Sequence, residues 1–271
     1  MVIDIHTHIF PDKIAEHSIA VLEGNAGIKA AASGTLDGLL ASANEGAVDY
    51  SIIMPVVTKP SQFQSVNQFA AKINEEYSEG RENKLISFGG IHPESTDYKE
   101  ELHIIQELGL KGIKLHPDYQ NTMFDDIRYM RIVEEATKHG LAVMVHAGVD
   151  IGLPNPVHCT PKMARAVIDA VQPEKMILAH YGGYALWDEV EEYLVGQKVY
   201  FDTAYTEGKI SEEQFLRILR HHGADKILFG TDSPWCGQKE TIETIKALPI
   251  SREDKELILG GNAARMLLQG R

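Results

Sequence analysis

Metal-competent side chains follow short apolar runs at four places in this chain of 271 residues. His6 and His8 close the first run, and His146, His180 and Asp232 close three later ones. Imidazole nitrogen and carboxylate oxygen are ligands that zinc and similar divalent ions accept in proteins. Scattered histidines would fall in helices and loops as well, so this distribution indicates a metal site that performs hydrolysis.

The first of these runs, Val2-Ile3-Asp4-Ile5, leads into the pair His6 and His8. Residues two apart in a strand point to the same face, so both imidazoles can converge on one ion. Two exposed histidines near an N-terminus would give the same pattern. The three further strand ends with His, His and Asp favour the metal.

Charge and composition exclude several classes of partner. The chain carries 26 lysines and arginines against 39 acidic residues, a formal net charge of −13, which disfavours nucleic acid and anionic membrane surfaces. No apolar run approaches the roughly 20 residues that span a bilayer, and two cysteines are too few for a disulfide framework. We expect a cytoplasmic protein with a small-molecule substrate, and a homo-oligomer is compatible with the sequence.

Short apolar runs alternate with helical patterns along the whole chain. Eight runs are predicted as buried parallel strands: Val2–Ile5, Tyr50–Met54, Leu85–Phe88, Gly112–Leu115, Ala142–Val145, Met176–Ala179, Val199–Phe201 and Ile227–Phe229. Eight segments are predicted as helices: Leu36–Asn44, Val66–Tyr77, Tyr98–Leu108, Ile127–Lys138, Pro161–Val171, Leu186–Leu194, Glu212–His221 and Glu240–Leu248. The connection from Ile9 to Ser33 is predicted as a long loop that either contacts substrate or is a surface insertion.

Eight strand-helix units over this length predict an α/β fold, a single-domain (β/α)₈ TIM barrel over residues 1–271. A doubly wound open sheet is the alternative, but it is usually shorter and carries a glycine-rich phosphate loop, and no GxGxxG motif is present. The C-terminal ends of barrel strands meet at one mouth, where the candidate ligands would come together.

The order of these ligands resembles the amidohydrolase superfamily, and within it the amidohydrolase-2 group, which also holds decarboxylases similar to aminocarboxymuconate-semialdehyde decarboxylase. Further motifs carry the resemblance: GIKLHPDYQ from Gly112, LAHYGG from Leu178, FGTDSPW from Phe229 and GNAARML from Gly261. The resemblance implies one zinc or other divalent ion per chain, held by His6, His8, His146 and Asp232. It also implies that His180 orients or deprotonates the attacking water and that Asp232 transfers its proton.

Three further residues are candidates on the same rim. Binuclear relatives carry a carboxylated lysine at the end of the fourth strand, where Lys114 stands, so a two-metal site is the alternative to a single ion. An ammonium inside the barrel needs an anionic partner, a carbamate or a substrate carboxylate. Lys114, His116 and His158 are therefore predicted to contact substrate, although the two histidines could equally be structural.

Three functions remain open at this point. The first is metal-dependent hydrolysis of a small amide, lactone or ester, and the second is a metal-dependent non-oxidative decarboxylase. Few arginines stand near the strand ends, which favours hydrolysis because arginine is the preferred anchor for a carboxylate, although Lys59, Lys114 or Arg128 could serve. Asp118, Asp150 and Glu207 on the rim suggest a polar, hydroxylated or cationic substrate. The third function is a silent barrel with a structural metal, which the open ligand set disfavours.

Overall fold

The computed structural model describes residues 1–77 and 83–268. Its strands are all parallel to their neighbours. In chain order they are β1 (Ile3–Thr7), β2 (Tyr50–Ile53), β3 (Lys84–Ser87), β4 (Gly89–Gly90), β5 (Gly112–Leu115), β6 (Ala142–Val145), β7 (Met176–Leu178), β8 (Tyr200–Asp202) and β9 (Ile227–Leu228). All except β4, which follows the run Leu85–Phe88, overlap an apolar run of the sequence, because strands covered on both sides need no polar alternation.

The strands close into a (β/α)₈ barrel, as the sequence predicts. β3 and β4 are successive pieces of the third barrel strand, one paired with β2 and the other with β5. Between the first and last strands, the Ile5 N–H donates to the Phe229 carbonyl at 2.8 Å and the Asp232 N–H donates to the His6 carbonyl at 2.8 Å. This closure joins His6 to Asp232 across the seam, although they are 226 positions apart in the chain.

Helices follow the strands and cover the barrel. They are α1 (Asp12–Ala26), α2 (Leu36–Gly46), α3 (Phe63–Tyr77), α4 (Tyr98–Glu107), α5 (Ile127–Lys138), α6 (Pro161–Val171), α7 (Trp187–Tyr193), α8 (Glu212–His222), α9 (Gln238–Ala247), α10 (Arg252–Glu256) and α11 (Asn262–Leu267). The predicted bounds of α5 and α6 agree with the structure, since Asp126 and Thr160 cap their first turns as expected from the side chains. None of the described helices is long and apolar enough to cross a membrane.

Side chains along each strand alternate between two apolar layers. On β6, Ala142 and Met144 belong to the inner cluster, whereas Val143 and Val145 pack outward with the helices. His146 is the next residue after β6, and by the same alternation its side chain points inward, like those of Ala142 and Met144. The barrel therefore delivers the polar groups that follow its strands to the interior of the mouth.

The segment from Ile9 to Ser33 is not the predicted loop, because it contains α1. Residues at four-residue spacing on this helix, Ile14, Ser18, Leu22 and Ala26, line a cavity at the barrel mouth. Four-residue spacing places side chains on one face of a helix, so one side of α1 covers the cavity. The segment does lie against the cavity, which is one of the two alternatives for it, but part of it is a helix where a loop was predicted.

The burial of His222, at the end of α8, leads us to expect that the folded protein loses stability in acid. Its Nε2–H donates to the Val199 carbonyl at 2.9 Å, and its Nδ1 accepts the Gly196 N–H at 3.2 Å. Burial, aided by the charge of Lys226, lowers the pKa of His222 to about 4. Between the ordinary pKa and this value the unfolded chain binds a proton that the folded chain does not, so folding weakens as pH falls.

The free energy of unfolding should therefore lose about 2 kcal/mol through His222 between neutral pH and about pH 5. Urea denaturation of the wild type and His222→Gln at both pH values measures this, because the variant lacks the titrating ring. The destabilisation that the substitution causes should shrink by that amount in acid. His221→Gln, on the exposed neighbour, is the control. An equal destabilisation by His222→Gln at both pH values would contradict the assignment.

Candidate metal centre

Three donor atoms converge at the barrel mouth, from the first and last strands. His6 Nε2 and His8 Nε2 are 3.1 Å apart, and Asp232 Oδ1 lies 3.4 Å from the first and 3.2 Å from the second. We call His6, His8 and Asp232 the triad. Their close approach confirms that the HxH pair points to one place, as the strand period requires.

The hydrogen bond at Nδ1 of each imidazole determines which ring nitrogen can bind a metal. His8 Nδ1 is 2.8 Å from the Met54 carbonyl, and His6 Nδ1 is 2.8 Å from Asp202 Oδ2. Both partners accept only, so both Nδ1 atoms carry the hydrogen and both Nε2 atoms carry a lone pair. The 3.1 Å approach of the two Nε2 atoms is then an approach of two lone pairs, which a cation bound to both would stabilise.

The spacing of the triad fits one divalent ion. Ligand atoms at roughly 2.0 to 2.2 Å from a shared ion lie roughly 3 to 3.5 Å apart at right-angled to tetrahedral geometry. The three measured separations fall in this range. The donors, two neutral imidazoles and a carboxylate, suit zinc, manganese and other first-row metals.

A bulge in β1 places His6. Asp4 pairs with Ser51 and Thr7 pairs with Ile53, so β1 has one residue more than β2 between these pairs. The Asp4 carboxylate accepts the His6 N–H at 3.1 Å and the Thr231 hydroxyl at 2.6 Å. Asp4 therefore links the backbone of His6 to Thr231, the residue before Asp232.

Asp232 sits in a backbone conformation that few residues adopt. Its φ is +64°, in the left-handed region where Asp and Asn are tolerated better than other side chains with a Cβ. Burial would raise the pKa of its carboxyl group, but His6, His8 and His180 outweigh burial and lower the pKa to about 2. Asp232 is therefore ionised at neutral pH, as a metal ligand must be.

Lys114 extends from β5 into the same space. The residue is 1% exposed, and its Nζ lies 3.0 Å from His6 Nε2. Burial lowers the pKa of the Lys114 amine to about 8, opposed by the charges of Asp232 and Asp202. The side chain of Lys114 points into the barrel, the case in which the sequence requires an anionic partner, and its anionic neighbours are these two carboxylates.

His146 and His180 form a second group beside the triad. His146 Nδ1 is 3.1 Å from His180 Nε2, and His180 Nδ1 is 3.0 Å from the Ala204 carbonyl. His180 thus donates through Nδ1 and accepts from His146. The candidate metal-ligand atoms of His146, His116 and Asp150 lie close to one another and form a group separate from the triad. Of the four predicted ligands, three form the triad, and the fourth, His146, lies beside it.

The two remaining candidates differ in access to the mouth. His116 lines the cavity, between the rings of His146 at 4.2 Å and Tyr119 at 4.3 Å. His158 is not among the described lining residues, and its Nδ1 donates to Asp118 Oδ1 at 3.0 Å. Its geometry is that of a structural histidine, and its predicted contact with substrate stays a prediction that the structure does not favour.

Asp202 is the functional residue that the sequence reasoning missed. Besides its bond to His6, its Oδ1 accepts the His180 N–H at 2.8 Å and the Ala204 N–H at 3.1 Å. It orients a metal-competent imidazole through the opposite ring nitrogen, as carboxylates do around many metal sites. The available signal was an acidic residue directly after the apolar run Val199–Phe201.

These groups open onto a cavity of about 710 Å³. The lining is polar at the triad, Lys114 and His116. It is also apolar over a large part, to which the β1–α2 connection and α3 contribute Ile9, Phe10, Ile14, Leu22, Ile28, Val66 and Phe69. Such a cavity accepts a small molecule with a flat or apolar body and a polar end.

A family model described as amidohydrolase, the amidohydrolase-2 model, matches residues 3–268. The chain belongs to this family. The resemblance drawn from the ligand order is thereby confirmed, and with it the general class, a metal-dependent enzyme of the amidohydrolase superfamily.

A curated relative is the 2-amino-3-carboxymuconate-6-semialdehyde decarboxylase of Dictyostelium discoideum. It is 26% identical over 221 residues, which cover 68% of this chain and 61% of the length of the relative. Among solved structures, the 2,6-dihydroxybenzoate decarboxylase of Rhizobium aligns with a TM-score of 0.74 at 16% identity, covering 99% of both chains. A dihydroxybenzoic acid decarboxylase of Polaromonas, solved with manganese, aligns with a TM-score of 0.73 at 16% identity, covering 100% of this chain and 97% of that one.

These relatives correct the first functional hypothesis. Hydrolysis of an amide, lactone or ester was the expected reaction of this amidohydrolase-family chain, and it is wrong, because the relatives with a named activity are decarboxylases. The small number of arginines near the strand ends does not exclude a decarboxylase, because the structure places another cationic side chain, Lys114, inside the cavity. Zinc has no specific support either, since the Polaromonas enzyme was solved with manganese.

Proposed function

We propose that this protein is a metal-dependent, non-oxidative decarboxylase of a small aromatic or unsaturated carboxylic acid. One observation carries the proposal: the buried amine of Lys114 stands at the triad, 3.0 Å from His6 Nε2. It is the only lysine or arginine among the described residues that line the cavity. An amine in this place can hold the carboxylate that the reaction removes.

Occupation of the triad strengthens this role for Lys114. His6 Nε2 has a single lone pair, and once a bound ion uses it, His6 Nε2 can no longer accept a hydrogen bond from the Lys114 ammonium. Asp232 and Asp202 offset the charge of the amine, but a buried ammonium that has lost its hydrogen-bond acceptor is costly, so a new acceptor stabilises it. A substrate carboxylate in the cavity supplies that acceptor.

Arg128 and Lys59, the other sequence candidates, are less suited to this task. Arg128 Nε donates to Asp126 Oδ1 at 2.9 Å, and its guanidinium is 41% exposed. Lys59 is exposed and is not among the described residues around the cavity. Lys114 is therefore the carboxylate anchor that we assign.

Decarboxylation breaks the bond between a carbon and its carboxylate, leaves the electron pair on that carbon and releases CO₂. A divalent ion, when bound, stabilises negative charge on a substrate oxygen. Asp232 lines the cavity and is ionised, so it first accepts a proton from a substrate hydroxyl or a water and then returns it to the carbon. His180, fixed by Ala204, orients His146 at the edge of the site.

The finer details belong to the same proposal. Manganese and zinc both suit the triad, and a small molecule is the partner that we assign, with no nucleic acid and no membrane. The aromatic lining, which includes Phe10, Phe69 and Tyr119, favours a planar substrate body.

The reaction is tested by incubating the metal-loaded protein with the acids after which the relatives are named and with other small aromatic acids. We expect release of CO₂ and, in D₂O, one deuterium at the carbon that lost the carboxylate. Turnover without CO₂ would contradict the proposal.

Lys114→Met should raise KM by roughly 10- to 100-fold, since a hydrogen bond to a charged group is worth about 1.5 to 3 kcal/mol. Methionine fills a similar volume without the charge. Steady-state release of CO₂ measures the effect, and Lys111→Met, at an exposed position before the same strand, is the control. An unchanged KM would remove Lys114 from the role of anchor.

A further inference from the structure

The cavity at the barrel mouth is much larger than one aromatic ring. Its volume is about 710 Å³. A cavity of about 150 Å³ is enough to bind benzene, whereas sites for drug-sized ligands have roughly 300 to 1,000 Å³. A planar acid held at the triad and Lys114 therefore fills only a fraction of the space, and the rest is available to another part of the same molecule.

Apolar side chains from the segments that follow β1 and β2 line part of this space. We call six of them the apolar compartment: Ile9, Phe10, Ile14, Val56, Val66 and Phe69. None of the six is fully buried. Ile9 and Phe69 pack against the same buried apolar cluster, which fixes the two segments against each other. Contact between partly exposed apolar side chains and an apolar ligand is favourable because it removes both from water.

The apolar compartment begins next to the triad. His8 is a member of the triad, and Ile9, the next residue in the chain, belongs to the compartment. The His8 Nδ1–H donates to the Met54 carbonyl at 2.8 Å, two residues before Val56. A ligand bound at the triad therefore has the apolar side chains that follow two barrel strands beside it.

α1 crosses the barrel mouth and gives the cavity its length. The helix begins shortly after β1, and near its other end Asn25 lies close to Gly152, in the connection that follows β6. A Cβ built on Gly152 would be 3.7 Å from Asn25 Cβ. β1 and β6 are the first and fifth of the eight barrel strands, on opposite sides of the barrel. The residues of α1 that line the cavity extend from Ile14 to Ala26, which is about 18 Å at 1.5 Å per residue.

Polar groups near the apolar compartment make hydrogen bonds within the protein. The Thr58 hydroxyl donates to Gln62 Oε1 at 3.0 Å, and the Ser65 hydroxyl donates to the Gln62 carbonyl at 3.1 Å. Lys114 is the only lysine or arginine among the described lining residues, and it stands at the triad. This part of the cavity thus has no cation for a phosphate or a second carboxylate, and its lining favours an apolar group.

We infer that the substrate acid carries an alkyl or similar apolar substituent, which occupies the apolar compartment while the carboxylate lies at Lys114. The inference rests on the proposed function, since it names the class of acid on which the decarboxylase acts. Each methylene that moves from water into an apolar site strengthens binding by roughly threefold to fourfold. The apolar compartment therefore distinguishes alkyl-substituted acids from unsubstituted ones.

The test is a binding series on the Mn²⁺-loaded protein with 4-alkylbenzoic acids as probes. Their chain leaves the ring opposite the carboxylate, and the ring carries no hydroxyl group. Isothermal titration calorimetry measures Kd for each member from methyl to pentyl. We expect Kd to fall by roughly threefold to fourfold per methylene, about 100-fold over the series. A total change of less than about fivefold would overturn the inference, because four buried methylenes contribute far more.

Two variants test whether the apolar compartment holds the chain. Val66→Trp fills part of it and should lower the ratio of the methyl to the pentyl Kd by at least about tenfold, the loss of roughly two buried methylenes. Ile14→Asp, at a position that is 49% exposed, places a charge there and should lower the same ratio without a change in the core. Gln68→Trp, at an exposed position of α3 outside the described cavity lining, is the control and should keep the wild-type ratio. Wild-type ratios in both compartment variants would overturn the assignment.

Release of CO₂ separates this inference from the proposed function. The 4-methyl and 4-pentyl derivatives of salicylic acid carry the hydroxyl group that the benzoic acids lack, and kcat/KM for CO₂ release should be higher for the pentyl compound. A steep gain in affinity along the benzoic acid series without CO₂ from any acid would support the apolar compartment and contradict decarboxylation. CO₂ from the methyl compound with no gain from longer chains would support decarboxylation and overturn the inference.

Discussion

Asp232→Asn should reduce CO₂ release by roughly 10²- to 10⁴-fold, the range that a positioned acid-base group contributes. Asparagine tolerates the left-handed backbone of this position, where φ is +64°, and keeps one oxygen for the ion. It cannot take up a proton and return it to carbon. The loss should therefore appear in kcat, measured by CO₂ release at saturating substrate.

A control variant and a measurement of folding test whether this loss of activity is due to the Asp232 carboxylate itself. Glu212→Gln removes an exposed carboxylate at the start of α8, away from the described cavity lining, and should leave kcat unchanged. The near-ultraviolet circular dichroism spectrum of metal-free Asp232→Asn should match that of the wild type, which excludes misfolding. Turnover by Asp232→Asn near the wild-type rate would disprove its role in proton transfer.

His8→Ala should weaken metal binding at the triad by more than about 100-fold, and CO₂ release should fall with it. Even partners that only orient a ligand are worth 10- to 100-fold in affinity, and His8 supplies a donor atom directly. The metal affinity is measured by competition with a coloured chelator. His17→Ala, at an exposed histidine of α1, is the matched control.

Retention of wild-type affinity by His8→Ala would show that the ion binds elsewhere. His6→Ala should also lose the ion, but it leaves Asp202 without its partner at 2.8 Å and so disturbs stability as well. His8→Ala is the cleaner variant for this reason.

The barrel could be predicted from the sequence because its signals are local. Apolar runs of three to five residues mark strands buried on both sides, and the capped helix Pro161–Val171 begins and ends where its residues indicate. The approach of His6, His8 and Asp232 to one another could be predicted for the same reason, since each lies within three residues of the end of such a run. The prediction of one domain over residues 1–271 stays a prediction.

Other features depend on contacts between distant residues. Asp202 acquires its role only because the barrel brings it to His6, 196 positions away in the chain. The position of His146 with His116 and Asp150 follows from loop geometry after β5 and β6, which strand periodicity does not determine. α1 was missed because Phe10, Pro11 and the glycines around it are typical of loops.

The central claim, metal-dependent loss of CO₂ at the triad, is tested most directly with a substrate acid labelled with ¹³C in its carboxylate. The metal-free protein, the same protein reconstituted with Mn²⁺ and the reconstituted His8→Ala variant are incubated with it in H₂¹⁸O. We predict ¹³CO₂ from the reconstituted wild type alone, and a product without ¹⁸O from bond cleavage. Equal ¹³CO₂ release without metal, or a product that carries ¹⁸O and retains its ¹³C-carboxylate, would contradict the account.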